Sequence, residues 1–146
     1  MITVTGATGH IGNVLVRELV ARGNGVRALV MPGDNLRSLD GLNVDIVYGN
    51  LTDSHSLIAA FEGTEIVYHL GGIVSIMPGM AEHMEKVNVG GMRNVIAACR
   101  TAGVRRLVYT SSIHAIAEPP SGTVIDEAYP FDPNQVLGDY ARSKAR

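Results

Sequence analysis

Short apolar runs alternate along this chain with longer stretches whose apolar residues recur every three or four positions. The short runs cover residues 2–5, 26–30, 44–48, 66–70 and 106–110 and are rich in Val, Ile and Leu, which predicts strands. Between the first two, Ile11, Val14, Leu15 and Leu19 share one helical face, and Arg17, Glu18 and Arg22 take the other. Gly23 and Gly25 end that helix. Asp53 is placed to cap a short helix over 54–61 that Gly63 closes. A longer helix over 81–102 sets Met84, Val87, Gly91, Val95 and Ala98 on one face before Gly103 stops it. The strands show little polar alternation, which suits a parallel sheet covered on both faces. Strand–helix alternation predicts right-handed βαβ units and an α/β, doubly wound sheet. Residues 114–138 hold Pro119, Pro120, Gly122, Pro130 and Pro133, so a long loop is expected there. Such loops are uncommon unless functional. Residues 139–146 begin another helix.

With 146 residues and 46% hydrophobic content, the chain suits one domain, 1–146, with a substantial core. Its formal net charge is −2 with Lys and Arg scattered, unlike the clustered basic surface that nucleic acid requires. No run approaches the roughly 20 apolar residues of a membrane span, and the N-terminus lacks the pattern of a secretory signal. Cys99 is the one cysteine, which excludes an internal disulfide and a multi-thiolate metal site. A cytoplasmic protein with a small-molecule partner and no metal, nucleic acid or membrane is expected.

The stretch Thr5-Gly6-Ala7-Thr8-Gly9-His10-Ile11-Gly12 lies between the first strand and the first helix. Gly6 permits a tight turn, Gly9 lets backbone approach a diphosphate, and Gly12 lets the helix pack close to the sheet. The helix N-terminus offers N–H groups and partial positive charge to phosphate.

This Gly-x-x-Gly-x-x-Gly spacing resembles the extended short-chain dehydrogenase/reductase superfamily, its epimerase/dehydratase and dihydroflavonol reductase-like members included. The resemblance runs the length of the chain. Gly49-Asn50-Leu51-Thr52-Asp53 is similar to the family's Gly-Asp-Leu-x-Asp segment, with Asn50 departing from an acid that contacts adenine. His69-Leu70-Gly71-Gly72 resembles a segment whose small residues line the cofactor; His69 itself reads as a buried strand residue. Asn88-Val89-Gly90-Gly91 with Asn94-Val95 resembles a helix whose Asn lies near the active site. Tyr109-Thr110-Ser111-Ser112 matches the strand end with the catalytic serine, and Tyr140-x-x-x-Lys144 the catalytic pair.

The resemblance implies a Rossmann-like sheet and an NAD(P)-dependent oxidoreductase, epimerase or dehydratase. Ser112, Tyr140 and Lys144 would be catalytic. Gly6, Thr8, Gly9, His10, Ile11, Gly12, Asn50, Leu51, Leu70, Gly71, Gly72, Asn88, Tyr140 and Lys144 would contact the cofactor. Lys144 lies one helical turn from Tyr140 and would favour its phenolate. The substrate would carry a hydroxyl or carbonyl, on a nucleotide sugar or a ketone; a non-catalytic dinucleotide sensor is the alternative. Met31 stands where an acid selecting NAD, or an arginine selecting NADP, would stand, and Arg37 follows, a slight lean to NADP. Family members are roughly twice this length, so further strands, a substrate domain and homodimerisation are expected of a full-length protein. Little turnover is expected from residues 1–146 alone.

Overall fold

A computed structural model of the protein describes residues 1–75, 77 and 79–146. Five parallel strands, β1 (Ile2–Thr5), β2 (Val26–Val30), β3 (Asp45–Tyr48), β4 (Ile66–His69) and β5 (Arg106–Tyr109), form one sheet in the order β3-β2-β1-β4-β5. Helices α1 (His10–Ala21), α2 (Ser54–Phe61), α4 (Gly91–Thr101) and α5 (Asp139–Ala145) alternate with them. A short α3 (Ala81–Met84) precedes α4. Strand order reverses between β1 and β4, and such a switch point opens a crevice beyond the carboxyl ends of the strands.

Two apolar clusters cover the sheet. One joins Val4, Val26, Ala28 and Val30 to Val16 and Leu19 of α1. The other packs Leu29 and Val67 against Leu57 and Phe61 of α2 and Val95 and Ala98 of α4. Cys99 is buried in this second cluster, and burial pushes its thiol up to about 11. The central strands are largely buried while β3 and β5, at the edges, stay half-exposed. The expectation of strands covered on both faces therefore holds for the centre alone. Val44, Leu70 and Thr110 fall just outside the strands assigned to them.

Two helical expectations differ more. Ile11 and Val14 were placed on the buried face of α1, yet they are 60% and 58% exposed. The helix instead turns Gly12, Val16 and Leu19 inward. Gly12 decides this: a Cβ there would collide with the Gly6 carbonyl and the Ala7 backbone. Close packing of the turn under the helix thus fixes its rotation.

The long helix is interrupted. Between α3 and α4, Glu85–Gly90 form a π-helical turn. One extra residue per turn rotates the face, so Asn88 and Val89 are buried while Val87 is half-buried. Such turns concentrate at functional sites. The buried Asn88 amide accepts from Ile73 N–H (2.8 Å) and donates to Ile73 O (3.0 Å) and Ser143 Oγ (2.9 Å). It thereby ties the loop after β4 to α5. Asp53 caps α2 as expected, its carboxylate accepting from His55 and Ser56 N–H.

His69 is a core residue. It is 1% exposed, its Nδ1 lies 2.7 Å from Thr5 Oγ1, and its ring stacks on Tyr109 at 5.6 Å. Burial, aided by the Lys144 charge, lowers its pKa from 6.5 to about 4.

Gly12→Ala should cost about 1–3 kcal/mol through overpacking against backbone that has no rotamer to yield; denaturant titration measures it. His69 yields a pH prediction. The unfolded chain binds its proton near pH 6.5 and the folded chain near 4, so the unfolded state holds more protons in that window. The stability linked to His69 is complete above pH 6.5 and falls away toward pH 4, by on the order of 3 kcal/mol. Urea midpoints across this range should fall more steeply for the native sequence than for His69→Asn.

Candidate functional site

The crevice at the switch point holds a cleft of about 530 Å³. Its floor is the turn from β1 into α1. Gly6 takes φ +67, and a Cβ there would sit 2.8 Å from Gly71 N. Only a residue without a side chain satisfies both conditions. At Gly9 an added Cβ would meet the Gly6 carbonyl at 3.2 Å. No side chain caps α1, so its first-turn N–H groups remain available to an anion. Thr5 secures the floor from below. Its hydroxyl accepts from Gly71 N–H (3.1 Å) and pairs with His69 Nδ1, an arrangement that suits a neutral imidazole.

Of the residues expected to contact a cofactor, Thr8, Asn50, Leu51, Leu70, Gly71 and Gly72 line this cleft with Gly6 and Gly9, while Asn88 does not. His10 and Ile11 open α1 beside the cleft but do not line it. Gly12 acts through packing. The Asn50 Oδ1 accepts from both Thr52 N–H and Thr52 Oγ1 at 2.9 Å, so this side chain braces the turn after β3.

None of the three predicted catalytic residues, Ser112, Tyr140 and Lys144, lines the cleft. Ser112 follows β5 and caps the 3₁₀ turn Ile113–Ala115, its Oγ accepting from His114 N–H at 3.2 Å. The remainder of 114–138 carries no regular element, as its prolines predicted. Helix α5 packs on that turn, and the His114 ring meets the Tyr140 ring edge-on at 6.3 Å. Lys144 reaches back to β5: its Nζ donates to Thr110 O at 2.8 Å and lies 4.3 Å from the Tyr109 ring centre. Partial burial lowers the Lys144 pKa. Burial and the nearby Tyr140 raise that of Tyr109. Among the described residues, Lys144 is thus anchored by a main-chain carbonyl, one turn along α5 from Tyr140.

Sequence reasoning missed several participants. Ser143 is buried and donates to Tyr140 O (2.8 Å) while accepting from Asn88; its position between Tyr140 and Lys144 gave no hint of this. His83 and Lys86 line the cleft from α3 and the π-turn. Asp34 lines it as well, its Oδ2 accepting from Met31 N–H (3.0 Å) and Thr8 Oγ1 (3.3 Å). No described helix is long and apolar enough to cross a membrane, and the described residues contain no group of three or more metal-ligating side chains.

Comparison with known proteins supports what the geometry suggests. The model of the 3-beta hydroxysteroid dehydrogenase/isomerase family matches residues 3–146. The chain is 44% identical over 144 residues to sterol demethylase protein B of Methylococcus capsulatus, covering 97% of this chain and 43% of that protein. It is 37% identical over 141 residues to a putative dihydroflavonol 4-reductase of Synechocystis, covering 97% of this chain and 41% of the relative. A short-chain dehydrogenase/reductase superfamily protein of Agrobacterium tumefaciens, solved with bound NAD, superposes with a TM-score of 0.82 at 34% identity. That match covers 99% of this chain and 42% of the other. The chain therefore spans less than half the length of these relatives. With a glycine-floored crevice, a five-stranded parallel sheet and a family match from Thr3 to the last residue, this chain belongs to the 3-beta hydroxysteroid dehydrogenase/isomerase family of the short-chain dehydrogenase/reductase superfamily.

Proposed function

We propose that this chain forms the dinucleotide-binding part of an NAD(P)-dependent oxidoreductase that interconverts a hydroxyl and a carbonyl on a small molecule. The observation that carries this reading is the cleft floor, where backbone closes in at Gly6, Gly9 and Gly71 and an uncapped helix faces the opening. A dinucleotide's diphosphate fits that combination of close backbone, free N–H groups and partial positive charge. When bound, the nicotinamide supplies or accepts the hydride.

The chain's own residues supply positioning and proton transfer. The Ser112 hydroxyl accepts from His114 N–H, which leaves its hydrogen free to donate to a substrate oxygen. Tyr140 exchanges the proton with that oxygen. Lys144 spends one of its N–H bonds on Thr110 O and retains others for a ribose hydroxyl. Asn88 and Ser143 hold α5 against Ile73 in the loop after β4, so the proton donor keeps its place relative to the cleft.

The named relatives, a sterol-processing protein and a putative dihydroflavonol reductase, favour a sterol-like or other bulky carbonyl compound as substrate over a nucleotide sugar. We assign epimerase or dehydratase chemistry the second place. A cytoplasmic homodimer is the expected state of the full-length protein.

Tyr140→Phe separates catalysis from binding. Dinucleotide affinity by calorimetry should change little, and turnover of the full-length protein on steroid or ketone alcohols should fall by about 100-fold or more. Unchanged turnover would remove Tyr140 from the mechanism. Tight dinucleotide binding without turnover on any such substrate would favour a redox-sensing role.

A further inference from the structure

We propose that Tyr109 is a positioning residue for Lys144, its ring holding the ammonium where it meets the cofactor ribose beside Tyr140. The inference rests on the dinucleotide reading and on the part given there to Lys144.

The sheet sets this ring in place. Its register pairs Thr5 of β1 with His69 of β4, and His69 with Tyr109 of β5. Partners on neighbouring parallel strands point to the same face of a sheet, so the three side chains form one row across it. Each member of the row touches the next. Thr5 Oγ1 lies 2.7 Å from His69 Nδ1. The His69 ring stacks on the Tyr109 ring with centroids 5.6 Å and planes 21° apart. Buried and bonded to Thr5, His69 gives the Tyr109 ring a fixed neighbour. The row ends at Lys144, whose Nζ lies 4.3 Å from the centre of the Tyr109 ring. That is inside the roughly 6 Å over which an aromatic face attracts a cation.

A lysine ammonium is a point charge on a flexible stem, with donors that rotate freely. The bond from Lys144 Nζ to Thr110 O sets one distance and leaves the charge free to swing about the carbonyl. The Tyr109 ring supplies the second point, so adjacent residues of β5 and its end hold the ammonium together. Partial burial lowers the pKa of Lys144 and raises that of Tyr109. A cation partly stripped of water gains more from an aromatic face than an exposed one does. The row also starts where the cleft floor is held, since Thr5 Oγ1 accepts from Gly71 N–H. Floor and ammonium are thereby referenced to one line of packed side chains.

NMR of full-length protein carrying isotope-labelled lysine tests the placement. The Lys144 ε-protons should resonate upfield of an ordinary lysine because of the Tyr109 ring current, and Tyr109→Leu should abolish that shift. Circular dichroism checks that the variant is folded. Tyr109→Leu should also weaken dinucleotide affinity by calorimetry, and lower turnover on ketone or steroid alcohols, by about threefold or more, the size of a lost cation–π contact. Tyr109→Phe keeps the ring and should recover the shift and most of the affinity and turnover that Tyr109→Leu loses. An ordinary lysine shift in the native protein would overturn the proposal. So would native affinity and turnover in folded Tyr109→Leu. Tyr109→Phe as impaired as Tyr109→Leu would assign the effect to the hydroxyl and overturn it equally. Folded native protein that binds neither NAD nor NADP would instead remove the dinucleotide reading itself, and this inference with it.

Discussion

Everything functional in this chain depends on how closely three stretches of backbone approach one another at the carboxyl ends of β1 and β4. Gly6 lies against Gly71, and Gly12 lies against Gly6, so strand, turn and helix meet with no side chain between them. The close approach leaves the N-terminal turn of α1 facing an open crevice. It also explains why a buried hydrogen-bonded pair, Thr5 and His69, lies directly beneath. Thr5 spends its hydroxyl holding the Gly71 peptide, and a charged imidazole in that position would undo the arrangement.

The sheet and most of its helices were legible from apolar periodicity alone, because strands buried in the centre of a parallel sheet stand out as short runs rich in Val, Ile and Leu. Glycine spacing located the crevice for a similar reason: the constraint is steric and local. The rotation of α1 was not legible. Ile11 and Val14 satisfy a helical pattern as well as Val16 does, and the choice was made by Gly12, whose importance is the absence of a side chain. The π-turn was hidden because one added residue leaves the local composition unchanged while moving Asn88 inward.

The candidate site divides along the same line. Gly6, Thr8, Gly9, Asn50, Leu51 and Gly71 were readable because each sits at a fixed offset from a strand end. Asp34 and Ser143 were not, since their roles depend on long-range or turn-closing bonds: Thr8 to Asp34 spans 26 positions, and Asn88 to Ser143 spans 55. Asn50 shows a third case. It lines the cleft, but its side-chain oxygen accepts from the neighbouring Thr52, a local bond that composition does not reveal.

The bond from Lys144 to Thr110 has an evolutionary side. Its acceptor is a peptide carbonyl, present whichever residue occupies position 110. Drift along the end of β5 can change size, polarity or branching there without deleting the anchor. The ammonium's tether is exposed to mutation at one end alone, so the surrounding surface can change while the charge stays where it is.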